Sequence, residues 1–342
     1  MKHIFKSIIL LIALSIITAC GGSDAEEASG DKLDAPDKFL RIGTGPMGSG
    51  WYPITAVMSD IYMDNFNDLN VSEVEGGSTA NLKALEVDDV QMALNYTSDF
   101  VDSLEGGSEF DEPFDKPAGM ASLYPVYQTI ATLESNDDIN EIEDIVDKHI
   151  FLGPKEGGGP VAFWRMMEEY DIDEATIEEA GGKISYGNYS DGASMMKDGV
   201  VDVLLAGGAP MVPALEEIDV TNPVKVLPID DDKLEAIKEK DNGIAAGELP
   251  EDTYEKQTDP VPTYTMVTMA TVSADLDEDY VYHLTEIFWD SLDIFADQVP
   301  SREKDFSIDT ALEGISKENL HPGALKYYEE LEEEGEELKE ND

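Results

Sequence analysis

Residues 39–53 read Phe39-Leu40-Arg41-Ile42-Gly43-Thr44-Gly45-Pro46-Met47-Gly48-Ser49-Gly50-Trp51-Tyr52-Pro53. The first four are a short β-prone run, the glycines that follow suit a tight loop, and residues 51–62 carry a helical pattern. Outward from this unit, residues 70–74 form a second strand that stops at Gly76-Gly77. Ser78 is placed to cap the next helix, with Asn81 in its first turn and Leu82 and Leu85 on its apolar side. Residues 91–94 make a third strand, which ends at Asn95-Tyr96. Strand, glycine loop, helix, strand, helix, strand is the grammar of an α/β sheet with crossover connections.

A longer β-prone run covers residues 121–133, and then the grammar restarts. Residues 149–152 read as a strand, 153–159 as a glycine loop, 161–170 as a helix, and 184–186 as a strand. A helix opens at Asp191-Gly192, and residues 200–206 form a strand that ends at Gly207-Gly208-Ala209-Pro210. Pro210 suits the first turn of a further helix. A second long β run, 263–272, leads into one helix over 277–295. The architecture repeats although the sequence does not. Two α/β units joined by two long strands predict an α/β fold of two lobes with a double hinge. One lobe is 38–128 plus 263–342, which takes in the C-terminal helices, and the other is 129–262. Ligands of such sheets bind at the carboxyl ends of strands, where the glycine loops lie.

The first nineteen residues stand apart. Lys2, His3 and Lys6 make a basic start and residues 8–14 are unbroken apolar, a run too short for a comfortable membrane span. This is a signal peptide. Its ending, Ile17-Thr18-Ala19-Cys20, resembles a bacterial lipobox, in which the cysteine carries diacylglycerol. Cys20 is the chain's only cysteine, so no intramolecular disulfide can form, and a lipid-blocked thiol suits an oxidising exterior. Residues 20–37 hold almost nothing to bury and read as a flexible tether. The expected location is extracytoplasmic, with the membrane reached only through the lipid on Cys20.

The chain has 342 residues, with 75 Asp and Glu against 22 Lys and Arg, for a formal net charge of −53. Such a field repels phosphate backbones and anionic membranes, which excludes nucleic acid as a partner. Acidity spread along the whole chain keeps a protein hydrated in saline or alkaline surroundings. Apolar residues at 42% suffice for a core.

Chemistry has little positive support. Gly43-x-Gly45-x-x-Gly48 matches the dinucleotide fingerprint and has the right flanking elements, but Pro46 stiffens the turn and an exported protein has no nicotinamide pool. An enzyme using this loop for a nucleotide is the rival reading, and no cofactor is expected. His149, His283 and His321 are far apart and lack metal-ligand spacing, so no metal is expected. The mature chain has no nucleophile elbow and no cysteine nucleophile. What remains is the anion-binding capacity of backbone N–H groups at helix starts: the first loop, Ser78, and Gly157-Gly158-Gly159.

Residues 42–53, IGTGPMGSGWYP, resemble the opening of TAXI-type solute-binding proteins of tripartite ATP-independent periplasmic (TRAP) transporters. The resemblance continues at Glu75-Gly76-Gly77-Ser78 with Asn81, at residues 94–99, at Leu152-Gly153-Pro154, at Asp198-Gly199 and at Gly207-Gly208-Ala209-Pro210. It ends at Leu320-His321-Pro322-Gly323-Ala324 with Tyr327-Tyr328. It implies a two-lobed periplasmic-binding-protein fold, type II-like, with the ligand cleft between the lobes. The expected protein is a monomer, not an enzyme. It captures a small organic anion or zwitterion, a glutamate-like amino acid or a dicarboxylate, and delivers it to a membrane permease. A sensory subunit docking on a membrane receptor is the alternative. The site residues it implies are Thr44, Ser49, Gly50, Tyr52, Ser78, Asn81, Asn95, Gly157, Gly158, Gly159, Gly207 and Ala209. Where many relatives carry a basic residue after the hinge run, this chain has Leu133-Glu134-Ser135-Asn136, which favours an amino acid or monocarboxylate over a dicarboxylate.

Overall fold

The computed structural model describes residues 32–107, 109–240, 243–299, 306–335 and 338; the signal peptide, Cys20 and most of the tether lie outside them. In chain order come β1 (Leu33–Asp34), β2 (Phe39–Gly43), α1 (Trp51–Asn65), β3 (Phe66–Asn67), β4 (Asn70–Val74), α2 (Ser78–Glu86), β5 (Met92–Tyr96) and α3 (Thr97–Glu105). A long strand, β6 (Pro117–Leu133), follows. Then come β7 (His149–Phe151), α4 (Gly158–Glu168), α5 (Glu174–Ala180), β8 (Lys183–Ser185), α6 (Tyr189–Lys197), β9 (Val203–Gly208), α7 (Pro213–Asp219), β10 (Val224–Val226), α8 (Asp231–Glu239) and β11 (Ala245–Leu249). A second long strand, β12 (Val261–Ser273), precedes α9 (Glu278–Asp290), α10 (Leu292–Gln298) and α11 (Pro322–Glu334).

The strands beyond the small β1–β3 ribbon join in one mixed sheet. On one side the order is β4-β2-β5-β12-β6, with β4, β2 and β5 parallel and β12 antiparallel to β5. On the other it is β8-β7-β9-β6-β10, with β8, β7 and β9 parallel and β6 antiparallel to β9. The repeated grammar of the sequence is thus a repeated strand order: second, first, third, then a long strand that crosses to the other half. The fold is α/β, a mixed sheet of the periplasmic-binding-protein kind. Tyr127 marks the changeover, since it pairs with Thr265 of β12 and with Gly208 of β9. β6 is buried along nearly its whole length except at Pro125, two residues before that point. A central strand covered on both faces reads as a continuous apolar run, which is why the sequence shows it without alternation.

Several local expectations change. Gly77, in extended conformation, is the N-cap of α2, and Ser78 is its first helical residue. Gly158 and Gly159 belong to the first turn of α4 and are not loop. Pro210 follows a cis bond and opens no helix; Pro213 takes the first position of α7. The helix expected over 277–295 breaks at Ser291, which closes α9 and opens α10. The C-terminal signature serves packing. His321 Nδ1 accepts the Gly323 N–H at 3.1 Å and so caps α11, and the His321 N–H donates to Gly119 O at 2.9 Å. A Cβ on Gly323 would stand 2.2 Å from Glu278 O, so only glycine lets α11 lie against α9.

Cations are too few to neutralise this surface. Ion pairs such as Lys38–Asp68 and Lys326–Asp279 are exposed and contribute little. With a net charge of −53, self-repulsion opposes the compact state and is screened within about 10 Å at 0.1 M salt. The melting temperature is expected to rise by several degrees between low salt and molar NaCl. Circular dichroism melts would show it, and a flat profile would remove the salt-adaptation reading.

Candidate functional site

The carboxyl ends of the parallel strands in both halves point toward one cavity. Its wall is built by the turn into α1 (Ser49, Gly50, Trp51), the start of α2 (Gly77, Ser78), the end of β5 (Tyr96), the start of α4 (Gly157 to Gly159), Tyr189 at the start of α6, and Gly207-Gly208 at the end of β9. Tyr124 and Val126 of β6 also line it. The cavity volume is about 30 Å³, room for little more than water and far below the roughly 300–1,000 Å³ of small-molecule sites, so the walls stand nearly in contact in this form.

Of the residues singled out in the sequence, Ser49, Gly50, Ser78, Gly157, Gly158, Gly159 and Gly207 meet at this cavity. Thr44, Tyr52, Asn81, Asn95 and Ala209 do not line it. Thr44 is buried beneath the loop, where its hydroxyl accepts from Thr55 Oγ1 at 2.6 Å. Tyr52 points outward and is 40% exposed. Asn81 spends both amide protons on backbone, donating to Thr44 O at 3.1 Å and Leu94 O at 2.6 Å. It is a stitch between two strand ends, and its Oδ1 fills the places a Cβ on Gly43 or Gly76 would take, 2.8 and 2.3 Å away. Those glycines serve Asn81 and not a ligand. Asn95 donates to Tyr96 O at 3.1 Å from a fully buried position. Ala209 lies beyond the glycine pair, at the cis bond to Pro210.

The first loop is not the open N–H cradle its glycines suggest. The Thr44 N–H donates to Val74 O at 2.9 Å, the Met47 N–H to Glu75 Oε1 at 2.9 Å, and the Ser49 N–H to Pro46 O at 3.0 Å. Gly48 is needed for its φ of +86° and because a Cβ there would stand 2.9 Å from the Ser190 backbone nitrogen. What the turn offers the cavity is the buried Ser49 hydroxyl, which has no protein partner. The start of α4 is different. No side chain caps it, and the first-turn glycines Gly158 and Gly159 line the cavity. Helix-start N–H groups there provide the field and donors an anion needs.

Aromatic groups that sequence reasoning passed over form much of the wall. The Trp51 and Tyr96 rings are 5.0 Å apart at 57°, and Trp51 Nε1 donates to Thr268 Oγ1 at 3.0 Å. Tyr189 accepts the Gly207 N–H at 3.4 Å, which leaves its own proton to donate, and burial pushes the phenol up to about 12. Tyr124 and Val126, two residues apart on β6, present one face of that strand to the cavity. The burial of Tyr189 is tertiary and had no local signal.

Among the described residues, no lysine or arginine lines the cavity. Behind its glycine wall lies Asp99, nearly inaccessible, with Oδ2 unpartnered and 2.2 Å from where a Cβ on Gly158 would sit. Loss of water raises its pKa to about 6, against the opposing pull of the Ser78 hydroxyl and Arg165. The Ser78 oxygen also accepts the Tyr96 N–H at 2.9 Å, so Ser78 works inside the wall as much as toward the cavity. Among the described residues, no group of three or more His, Cys, Asp or Glu could hold a metal ion.

The two halves touch across the mouth. Glu156 O accepts the Ala80 N–H at 3.0 Å and also the Thr79 hydroxyl, and the Glu156 carboxylate pairs with Lys83 at 3.1 Å. Met47 O accepts the Ser190 N–H and Gly48 O the Ala214 N–H, each at 3.2 Å. Arg165 of α4 pairs with Asp102 of α3 at 2.7 Å. This is a shut cavity held by a few polar contacts.

The chain belongs to the NMT1-like family, whose profile it matches over residues 42–331. Among solved structures it is similar to an ancestral arginine-binding protein bound to arginine, at 13% identity over 79% of this chain and 99% of that one, with a TM-score of 0.42. It is also similar to the alkanesulfonate-binding protein SsuA from Xanthomonas axonopodis pv. citri bound to MOPS, at 11% identity over 78% of this chain and 75% of that one, with a TM-score of 0.44. The effector-binding domain of a BenM variant matches at 15% identity over 77% and 97%, with a TM-score of 0.43.

Proposed function

We propose that this protein is the extracytoplasmic solute-binding subunit of a TRAP-type transporter, anchored through lipid on Cys20. It captures one small carboxylate or amino acid without transforming it and delivers it to a membrane permease. In this reading the lobes are 38–128 with 263–342, and 129–262, and they part and close by bending β6 and β12 near Tyr127 and Thr265. The observation that carries the reading is the cavity itself. It is shut between the two halves of the sheet and walled by aromatic rings, and it meets an anion with the start of α4 and with the Ser49 and Tyr189 hydroxyls. Hydrogen bonds to a charged group contribute about 1.5–3 kcal/mol each, so a handful can offset the desolvation of one carboxylate without a cation.

Native mass spectrometry of the purified protein is the direct test. A protein that leaves the cell with its solute should show a mass increment of one small organic acid, lost on denaturation. If the protein arrives empty, and no carboxylate or amino acid raises its melting temperature, the reading fails.

A further inference from the structure

His321 is the N-cap of α11, and backbone engages both of its ring nitrogens. Nδ1 accepts the Gly323 N–H at 3.1 Å, and Nε2 stands 3.1 Å from Leu276 O. An N–H cannot accept and a carbonyl cannot donate, so the ring is neutral and carries its proton on Nε2. A second proton would sit on Nδ1 and point at the Gly323 N–H, two donors face to face in a nearly inaccessible place. N-caps are ordinarily Ser, Thr, Asp or Asn, which hold one charge state between pH 5 and 8, whereas histidine titrates there. The charged groups that face the ring are Glu278 and Asp277 at the start of α9. β6 and the turn before α9 meet His321 with backbone, Gly119 O and Leu276 O, and the first turn of α11 carries no acid. Burial holds the ring's pKa below the ordinary 6.5, against the bond to Leu276 O and those two carboxylates.

This cap lies where α11 is fastened to the strand that crosses between the two halves of the sheet. Leu320 bridges Gly119 of β6, the His321 N–H donates to Gly119 O at 2.9 Å, and Tyr328 Oη donates to Met120 O at 2.9 Å. On the other side Gly323 lies against Glu278 of α9 with no room for a Cβ. From these observations we propose that His321 is an acid-sensitive latch: a proton on Nδ1 breaks the cap and frees the start of α11 from α9 and β6. A ring released into water titrates near the ordinary 6.5, and the latched ring titrates lower. The released form therefore binds the proton more tightly. The hold on α11 is complete above about pH 6.5 and weakens as the pH falls below it, until the latched ring is itself protonated. The brace that α11 gives to β6 thus depends on pH.

Hydrogen exchange followed by mass spectrometry reads the latch on the whole protein, in molar NaCl to screen the surface charge. Once corrected for the intrinsic pH dependence of exchange, the protection of wild-type peptides from residues 322–334 should fall about tenfold for each pH unit below about 6.5. Peptides from α4 should keep theirs. In His321→Asn, which keeps an acceptor for the Gly323 N–H and cannot take up the proton, α11 should stay equally protected over the same range. A parallel loss in wild type and variant assigns the acid sensitivity to carboxylates and overturns the latch, and so does a wild-type α11 that stays protected down to about pH 4.5. If the variant does not fold, nitrogen NMR of the wild-type histidine rings decides. His321 should be neutral with its proton on Nε2 at pH 7.5, and its protonation should coincide with the loss of α11 protection. A ring already charged at pH 7.5, or one that takes up its proton while α11 stays protected, overturns the proposal.

Discussion

Gly158→Ala should lower the affinity for the captured solute by about a hundredfold, about 2.7 kcal/mol, while the solute-free protein melts at an unchanged temperature. The added Cβ would stand 2.2 Å from Asp99 Oδ2, 2.6 Å from Tyr96 Cδ2 and 3.1 Å from Ser78 Cβ. None of these can withdraw cheaply. Asp99 and Ser78 are buried, Ser78 is held by the Tyr96 N–H, and the Tyr96 ring lies against Trp51. Overpacking of this kind costs about 1–3 kcal/mol. All three obstacles belong to the first half of the sheet and Gly158 to the second, so under the proposed opening and closing of the halves the clash belongs to the closed form alone. Within α4 itself alanine is a better helix former than glycine. Calorimetry with the solute identified by mass spectrometry measures the affinity, and scanning calorimetry of the stripped protein measures the fold. Unchanged affinity would mean that the halves need not approach this closely to hold the ligand. A large drop in the melting temperature of the stripped protein would mean that they are permanently joined.

The strand–loop–helix units were legible because each is decided by local physics. The run at residues 39–42 must extend, the glycines after it must turn, and the pattern from Trp51 onward fits a helix. The duplication was legible for the same reason, since the second half repeats those local decisions with different residues. The polar side chains of the site were only partly legible. Thr44, Asn81 and Ser49 are all small polar groups beside glycines in the sequence. The structure gives the first two backbone and hydroxyl partners and leaves the third without one. Which buried polar group is already satisfied depends on residues far along the chain: Leu94 for Asn81, Thr55 for Thr44. Spacing does not encode that. Gly43 and Gly76 likewise make room for Asn81 and not for an anion. The break at Ser291 escaped because the apolar stripe runs on across it.

Asp99→Asn should stabilise the protein by about 2 kcal/mol at pH 7.5 and have almost no effect at pH 4. Burial holds the folded-state carboxyl at about 6, above the ordinary 3.8, with Ser78 and Arg165 lowering it and Asp102 and Glu109 raising it. A folded pKa raised above the unfolded one means that the folded state binds the proton more tightly. This group's contribution to stability is therefore complete below about pH 4 and is lost as the pH rises through about 6. The difference of roughly two units corresponds to about 3 kcal/mol at neutral pH. Against it stands the favourable field at the start of α3, where Asp99 is the acidic residue of the first turn, worth about 0.3–1 kcal/mol and weakened by the amide. The net is a gain for the variant. Many other carboxylates titrate over the same range, so the quantity to measure is the difference between variant and wild type, by denaturant unfolding in molar NaCl at pH 4, 5, 6 and 7.5. That difference should grow through pH 5–6 and level off above it. A difference independent of pH, or a variant less stable than wild type at pH 7.5, would show that Asp99 keeps its charge comfortably in the fold, with the Arg165 guanidinium outweighing the water it has lost.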